Sequence, residues 1–261
     1  MIRKKPPTRM WAFLIWLALI VGLIWLATPR PVSAQDMLEL SVLASHKAID
    51  PFELYPSGIE FDVYRKGSRI GRHIVRFAQD GDFLIVESEF KIKVKILFVT
   101  AYKFVFDAVG TWKDGALVSM KGDINDNGKK FKIDAEVKEG GSFYTIGKKG
   151  EFVAESWVYP TNHWNIGAVD QSVVLNTLNG NLAKVEVVRH GIETIETVKG
   201  PISAEKFEYT GELRDTNVWY DRDGRWVKMV FTTKSGETIE HVCRECGVAA
   251  GAPKQVSAAD L

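Results

Sequence analysis

The stretch LIVESEFKIKVKILF, residues 84–98, decides the fold because apolar and polar side chains alternate along most of it. Successive side chains of a β-strand point to opposite faces, so the alternation predicts a strand with one buried and one solvated face. The predicted buried face carries Leu84, Val86, Ser88, Phe90, Ile92, Val94, Ile96 and Phe98. A strand of this length does not stay flat, and we expect a bend between Phe98 and Thr100.

The opposite face of this stretch carries Lys91, Lys93 and Lys95. A lysine run can form a phosphate-binding or membrane-surface patch, but its strict alternation with apolar residues favours an ordinary solvated strand face. Residues 102–108 and 131–137 repeat the alternation. Half-buried strands of this kind are typical of antiparallel sheets, because the strands of a parallel sheet read as continuous apolar runs.

Glycines that follow a polar residue separate the apolar runs at close intervals. The pairs are Lys66-Gly67, Asp80-Gly81, Asp114-Gly115, Asn127-Gly128, Asn179-Gly180, His190-Gly191, Lys199-Gly200, Asp223-Gly224 and Ser235-Gly236. Glycine accepts the positive φ that tight hairpin turns require. Since twisted open sheets rarely exceed about ten strands, we predict an all-β fold: a single antiparallel meander of about 10–12 strands, curled into an open or closed barrel-like sheet.

The predicted domain boundaries follow from these patterns. The antiparallel β domain is expected to occupy residues 58–242, and an N-terminal apolar helix precedes it. Residues 35–57 are predicted to form a linker or a short capping helix, because Pro51 and Pro56 prevent a helix within residues 36–47 from continuing. Residues 243–261 are predicted to be a tail that carries a CxxC motif.

Residues 1–34 combine four basic residues before Met10 with seventeen uncharged residues from Trp11 to Ala27. Two interpretations stay open. The segment fits a signal peptide cleaved after Ala34, or an uncleaved anchor that spans about 26 Å of a roughly 30 Å hydrocarbon core. Both place the remainder in the periplasm, either soluble or held at the inner membrane, where Trp11 to Ala27 would supply the membrane contact.

The net charge of +1 hides an uneven distribution. Five of the 34 basic residues and none of the 33 acidic residues lie before Gln35. The remainder therefore carries 29 basic and 33 acidic residues, a formal charge of −4. A mildly acidic domain has no electrostatic attraction to nucleic acid, so we expect no nucleic-acid partner.

The CxxC motif consists of Cys243 and Cys246, which follow a predicted strand. A local disulfide is favoured because an exported protein meets an oxidising compartment. A thioredoxin-like site would place the first cysteine at a helix N-terminus, a structural zinc site needs about four ligands, and a haem site needs histidine where Gly247 stands. Redox activity, metal binding and free thiols remain as alternatives, and neither a cofactor nor a metal is predicted.

The segment from Tyr159 to Asn165 is the main candidate for ligand contact. Asn162, His163, Trp164 and Asn165 could form a lip over a cavity, or they could form a structural corner whose polar groups bond the local backbone. The other histidines considered, His46, His73 and His190, show no ligand spacing. We predict no catalytic residue.

Seven motifs occur in order along the chain: Phe61-Asp62-Val63-Tyr64 with Gly67 and Ile70-Gly71; residues 94–100; Trp112-Lys113-Asp114-Gly115; residues 125–128; Pro160-Thr161 with Trp164-Asn165; Leu175-Asn176-Thr177 with Gly180; and Val218-Trp219-Tyr220-Asp221 with residues 224–228. This set resembles a proteobacterial family of exported, periplasmic β-rich domains of unknown function. The resemblance implies an envelope location and a curved antiparallel sheet similar in outline to open-barrel lipoprotein carriers. It implies no catalytic residue, and both His163 and the cysteine tail depart from the family pattern.

Two functions from different classes follow as expectations. The first is a non-enzymatic binding module for an apolar, lipid-like ligand, because a curling sheet with aromatic inward faces commonly forms a ligand site. The aromatic residues concerned are Phe90, Phe104, Phe106 and Phe131. The alternative is an envelope scaffold or assembly factor that contacts a protein partner through sheet edges. An enzyme, either a hydrolase around His163 or an oxidoreductase around the cysteines, is the least favoured hypothesis.

Overall fold

The computed structural model describes residues 49–154, 157–213 and 215–247. The predicted N-terminal apolar helix, the proposed cleavage site and most of the predicted tail lie outside these residues. Among the helices that the structure describes, none has the length and hydrophobicity needed to cross a membrane.

A single α-helical turn, α1 (Pro51–Leu54), precedes the sheet. Pro51 begins this turn, because a proline is tolerated in the first turn of a helix. The helix predicted within residues 36–47 lies outside the described residues. The Asp50 carboxylate caps this turn by accepting hydrogen bonds from the backbone N–H groups of Phe52 and Glu53, at 2.9 and 3.4 Å.

Fifteen strands follow within the residues that the structure describes, so the expectation of about 10–12 is too low. They are β1 (Ile59–Arg65), β2 (Ser68–Asp80), β3 (Phe83–Ile96), β4 (Val99–Lys113), β5 (Ala116–Asp126), β6 (Lys129–Val137), β7 (Phe143–Gly147), β8 (Gly150–Ala154), β9 (Tyr159–Pro160), β10 (Val173–Leu175), β11 (Leu182–Thr197), β12 (Gly200–Gly211), β13 (Thr216–Tyr220), β14 (Trp226–Thr232) and β15 (Thr238–Glu245). The strands from β7 to β10 are only two to five residues long, too short for alternation to reveal them. The predicted bend after Phe98 is instead the turn between β3 and β4.

All fifteen strands lie in one sheet in the order β8-β7-β6-β5-β4-β3-β2-β1-β15-β14-β13-β12-β11-β10-β9. The fold is all-β and the sheet is mostly antiparallel, but the sheet is not a single meander. Two meanders, β1–β8 and β9–β15, meet where the first strand pairs with the last. One pair is parallel, with Tyr159 of β9 opposite Val174 of β10. Pairing between distant chain segments depends on side-chain fit, which local alternation does not encode.

The sheet is not closed, because β8 and β9 lie at opposite ends of the strand order. The connection from β10 to β11 nevertheless reaches the turn between β7 and β8. The Lys148 N–H donates to the Asn179 carbonyl oxygen at 2.6 Å, and the Thr145 hydroxyl donates to the Gly180 carbonyl oxygen at 2.9 Å. A Cβ at Gly147 would lie 2.4 Å from the Gly180 carbonyl carbon, so only glycine permits this approach. The sheet therefore curls until the two meanders touch, but their strands do not pair at this contact.

Aromatic side chains fill the inward face of the curled sheet. Phe61 and Trp226 have ring centroids 4.4 Å apart, and Phe90 and Phe104 have centroids 5.5 Å apart. Of the four phenylalanines predicted to face inward, Phe90, Phe104 and Phe106 are buried, and Phe131 is half-buried. Phe98, which was predicted on the same face, is 99% exposed because it lies in a turn rather than in a strand.

Candidate ligand-binding site

Residues 161–170, which follow β9, run along the inside of the sheet and contact strands of both meanders. Trp164 packs edge-on against Trp112 of β4 at 5.0 Å and against Phe77 of β2 at 5.3 Å between ring centroids. His163 lies 5.5 Å from Tyr209 of β12 and 5.6 Å from Trp226 of β14. The segment that the sequence marks as a candidate lip therefore occupies the interior.

Two buried tyrosines fix the backbone of this segment. The Tyr55 hydroxyl donates to the Trp164 carbonyl oxygen at 2.9 Å and accepts from the Trp226 N–H at 2.8 Å. The Tyr220 hydroxyl donates to the His163 carbonyl oxygen at 3.1 Å. His163 has a φ of +54°, an uncommon conformation for a side chain other than glycine. These bonds satisfy carbonyl groups that would otherwise be costly to bury, and they offset the strain at His163.

The four candidate ligand contacts are all buried, but they differ in their hydrogen bonding. The Asn165 side-chain oxygen accepts from the Gly167 N–H at 2.9 Å and caps the 3-10 helix Ile166–Asp170. The Asn162 amide donates to the Ser88 hydroxyl at 3.4 Å, a long bond. His163 Nδ1 and Trp164 Nε1 are buried with no partner among the described residues. Asn165 thus has a structural role, and the other three present polar groups to the interior.

Two further histidines lie near His163. His73 of β2 and His241 of β15 have ring centroids 5.3 Å apart, and the Trp226 ring lies within 6.3 Å of both and of His163. We name His73, His163 and His241 the histidine cluster. Both ring nitrogens of His73 and of His241 are buried without a partner among the described residues.

Sequence reasoning missed this cluster because its members are far apart in the chain. His73 alternates with Val75 on the buried face of β2, and His241 alternates with Ile239 on that of β15. That period of two could have placed each ring inside the sheet. Only the pairing of β1 with both β2 and β15 brings the rings together.

The cluster is uncharged at neutral pH. Burial lowers the pKa of His73 and that of His163 to about 3, and it lowers the pKa of His241 well below its ordinary value. A neutral imidazole carries one N–H donor and one acceptor nitrogen, so the cluster can bond an uncharged polar group. Within the described residues, no group of three or more histidine, cysteine, aspartate or glutamate side chains is placed to hold a metal ion.

Cys243 and Cys246 are joined by a disulfide, with Cα atoms 6.0 Å apart. The predicted tail was expected to begin at Cys243, but β15 continues to Glu245, because Cys243 pairs with Phe61 and Glu245 pairs with Glu60 of β1. The disulfide therefore lies at the C-terminal end of β15, a central strand of the sheet.

Next to the disulfide, the buried Asp62 carboxylate accepts hydrogen bonds from Arg244 and from Arg69, the latter at 2.6 Å. Burial raises the pKa of Asp62, but these two guanidinium groups outweigh burial and hold the pKa below its ordinary value. This ion pair reinforces the junction between the first and last strands.

A groove of about 450 Å³ lies between β8 and the strands β10 and β11, where the sheet fails to close. Its apolar walls include Val153, Trp157, Val173 and Leu182. Val153 is 65% exposed and Trp157 is 39% exposed, which is unusual for large apolar side chains in neighbouring positions. We name this feature the seam groove.

A second groove, of about 420 Å³, lies over β2, β3 and β4. Its lining contains five basic side chains and one acidic side chain, Glu89. The basic residues are Arg69, Arg72, Lys91, Lys93 and Lys103. We name it the basic groove.

The fold and these sites define an all-β domain that consists of one curled, open sheet with a polar interior cluster. Residues 61–244 match the family model of DUF6134, a domain of unknown function, and the chain belongs to that family. The match confirms the expected membership of a β-rich family of unknown function. No curated protein matches the chain.

A solved structure is similar to this one in fold. It is a β-barrel-like protein of the domain of unknown function DUF1849 from Brucella abortus, with 12% sequence identity and a TM-score of 0.50. The similarity covers 73% of this chain and 96% of that chain. At this identity the likeness concerns the fold alone, and it supports the barrel-like character of the sheet.

Proposed function

We propose that this protein is a non-enzymatic binding module for an apolar, lipid-like ligand and that it acts in the periplasm. The observation that carries the proposal is the seam groove. Its volume of about 450 Å³ falls within the roughly 300–1,000 Å³ of typical small-molecule sites. Val153 and Trp157 are apolar, adjacent and exposed, so a bound acyl chain would remove them from water at a gain of about 0.8 kcal/mol for each methylene that it buries.

The rim of the groove offers a site for the polar end of such a ligand. The Lys184 N–H donates to a Glu212 carboxylate oxygen at 2.8 Å, and the Glu212 N–H donates to the Lys184 carbonyl oxygen at 2.9 Å. The exposed Lys184 ammonium group forms no ion pair with another described residue. It is therefore available to an anionic head group while the chain lies along the apolar wall.

The proposed position of the ligand differs from the position expected from the sequence. The inward-facing phenylalanines predict an apolar cavity among their rings, on the order of several hundred cubic ångströms. Phe90 instead packs against Phe104 at 5.5 Å and against His73 at 5.2 Å between ring centroids. These rings fill the space between the strands, so the proposal rests on the seam groove at the sheet edge.

Mass spectrometry of small molecules released from the purified full chain tests the proposal. Val153→Asp places a charge on the apolar wall at an exposed position, and Ile192→Asp, at a position that is 78% exposed on β11, is the matched control. We expect an apolar molecule in the wild type and in Ile192→Asp, with at least about fivefold less in Val153→Asp. Equal amounts in all three proteins, or none in the wild type, would contradict the proposal.

A second function has one specific observation in its favour. β8 lies at the end of the strand order, so one of its edges has no strand partner in the part of the chain that the structure describes. A free edge beside an apolar groove also accepts an extended peptide by strand addition, which corresponds to an envelope scaffold or assembly factor. Recovery of a polypeptide in place of a small molecule, again lost in Val153→Asp, would select this alternative.

A further inference from the structure

The hairpin of β3 and β4 extends beyond both of its neighbours. β2 pairs with β3 only as far as Ile92, opposite Gly71, and β5 pairs with β4 only as far as Phe104, opposite Asp126. Residues 93–103 therefore form a two-stranded ribbon with no further strand on either side among the described residues. At about 3.3 Å per residue, the four steps along the chain from Lys93 to Leu97 project by roughly 13 Å. We name this ribbon the hairpin arm.

The tip of the hairpin arm is apolar and uncovered. Leu97 is 88% exposed, Phe98 is 99% exposed and Val99 is 70% exposed. Leu97 adopts a φ of +55°, in the left-handed region, where two-residue hairpin turns favour glycine or asparagine. Folding alone would select a polar residue and glycine at this turn, so the tip has a composition that folding does not explain.

The part of the hairpin arm behind the tip carries positive charges that no described acidic side chain neutralises. Lys93 lies directly opposite Lys103, and Lys95 is two residues closer to the tip. Each of these three lysines is exposed, and none forms an ion pair with a described residue. By contrast Lys91, nearer to the body of the sheet, pairs with Glu89 at 2.6 Å and with Asp107 at 3.3 Å. Like charges directly opposite each other on neighbouring strands are destabilising, so this pair also has no explanation in folding.

The basic groove lies at the base of the arm and extends the same charge. Its guanidinium groups are held by acidic neighbours, Arg69 by Asp62 at 2.6 Å and Arg72 by Glu60 at 3.3 Å. The lysines of the arm have no such partners, although the chain after Gln35 is acidic overall. The uncompensated positive charge is therefore concentrated next to the apolar tip.

We propose that the hairpin arm docks on an anionic phospholipid bilayer, with Leu97, Phe98 and Val99 at the acyl boundary and the arm lysines among the head-group phosphates. Apolar groups of peripheral proteins enter about 5–10 Å into this boundary, which the projecting tip can reach. Stable membrane attachment commonly combines an apolar insertion with a basic patch, and the arm supplies both.

Tyr102 fits the same orientation. It is half-buried between the tip and Lys103, and its hydroxyl donates to the Asp126 carboxylate at 2.9 Å. Tyrosine is enriched at the level of the head groups because its ring is apolar and its hydroxyl is polar. Lys91, Lys93 and Lys95 lie on the solvated strand face that the alternation predicts, and the bilayer contact would use this face. This inference goes beyond the proposed function and does not depend on the seam groove.

Site-specific photocrosslinking of the full chain tests the proposal independently of its apolar segment from Trp11 to Ala27. Benzoylphenylalanine is placed at Phe98 or, as a control, at the exposed Ile192. The protein is irradiated with vesicles of phosphatidylcholine containing about 30% phosphatidylglycerol, or with vesicles of pure phosphatidylcholine. The readout is the mass of the adduct at each position.

We expect a lipid adduct at position 98 and at least about tenfold less at position 192. The yield at position 98 should fall by about tenfold or more in pure phosphatidylcholine, and equally in the Lys93→Ser/Lys95→Ser/Lys103→Ser variant with mixed vesicles. A crosslink from position 98 to a second copy of the chain would overturn the proposal in favour of self-association. Equal lipid adducts at both positions, or no lipid adduct at position 98, would overturn it as well.

Discussion

The histidine cluster and the hairpin arm depart from the usual placement of polar and apolar groups in opposite directions. The cluster buries imidazole nitrogens that have no hydrogen-bond partner among the described residues, and the arm exposes Leu97 and Phe98 almost completely. Each arrangement costs stability, the first through desolvation and the second through uncovered apolar surface. The difference is that the rings of the cluster pack against Phe61 and Trp226, whereas the arm pairs with no strand outside its own hairpin in the part of the chain that the structure describes. Of the two features, only the arm exposes large apolar side chains to solvent.

Acid pH should produce the largest effect, and it acts through the cluster. Burial lowers the pKa of His73 and that of His163 from 6.5 to about 3, so the unfolded chain binds protons that the folded chain does not. The stability is fully present above about pH 6.5 and is lost as the pH falls towards 3. Between pH 6.5 and pH 5 these two residues should together lower the free energy of unfolding by about 3 kcal/mol, measured by urea unfolding at each pH. A free energy of unfolding that does not change over this pH range would show that the imidazoles bind protons as readily in the folded protein as in the unfolded chain.

The variant His73→Leu tests whether His73 is one of the residues responsible for this pH dependence. The substitution removes a buried imidazole without hydrogen-bond partners and should raise the free energy of unfolding at pH 5 by about 2 kcal/mol relative to the wild type. The gain should be smaller at pH 7.5, where the imidazole is neutral in both states. His190→Gln is the control, because His190 is partly exposed and bonds Glu208 at 2.6 Å. If His73→Leu destabilises the protein equally at both pH values, His73 makes a bond that the fold requires.

The double variant Leu97→Gly/Phe98→Asn tests the apolar tip of the hairpin arm. Glycine relieves the positive φ at position 97, and Gly-Asn is a favourable two-residue turn, so the free energy of unfolding should rise by about 0.5–1 kcal/mol. The same variant should lose lipid adducts at a photocrosslinker placed at Val99. A stability loss, or an undiminished adduct yield, would show that the apolar tip serves the fold and not a membrane.

Lys93→Glu should have the smallest effect on stability. It converts the pair with Lys103 from like to opposite charges, which should stabilise the hairpin by about 0.2–1 kcal/mol in thermal unfolding at low salt. Lys130→Glu, at another exposed strand position, is a control because Lys130 lies opposite the uncharged Asn125. An equal change in both variants would indicate a general charge effect in place of the Lys93–Lys103 repulsion.

The sequence predicts much of the local structure and little of the long-range arrangement. Alternation correctly identifies the all-β class and the solvated face with Lys91, Lys93 and Lys95, because side-chain orientation in a strand depends only on residue spacing. It misplaces Phe98, because the turn at Leu97 contains neither glycine nor asparagine. The topology depends on pairing of β1 with β15, which are about 180 residues apart.

The candidate site shows the same division. The segment with Asn162 and His163 is recognisable from its unusual composition, but its position inside the sheet depends on contacts with Tyr55 and Tyr220, which lie far away in the sequence. The seam groove is not recognisable in the sequence at all. It exists because β8 and β10 belong to different meanders whose outer edges approach without pairing.

Photolabelling with a diazirine-containing fatty acid would show whether an apolar ligand occupies the seam groove. The full chain is irradiated with the probe and digested, and the labelled peptides are mapped. The account predicts label on peptides that contain Val153 or Trp157 and on those that contain Val173 or Leu182, with competition by unlabelled fatty acid. Label confined to the segment from Trp11 to Ala27, or to the hairpin arm, would contradict it.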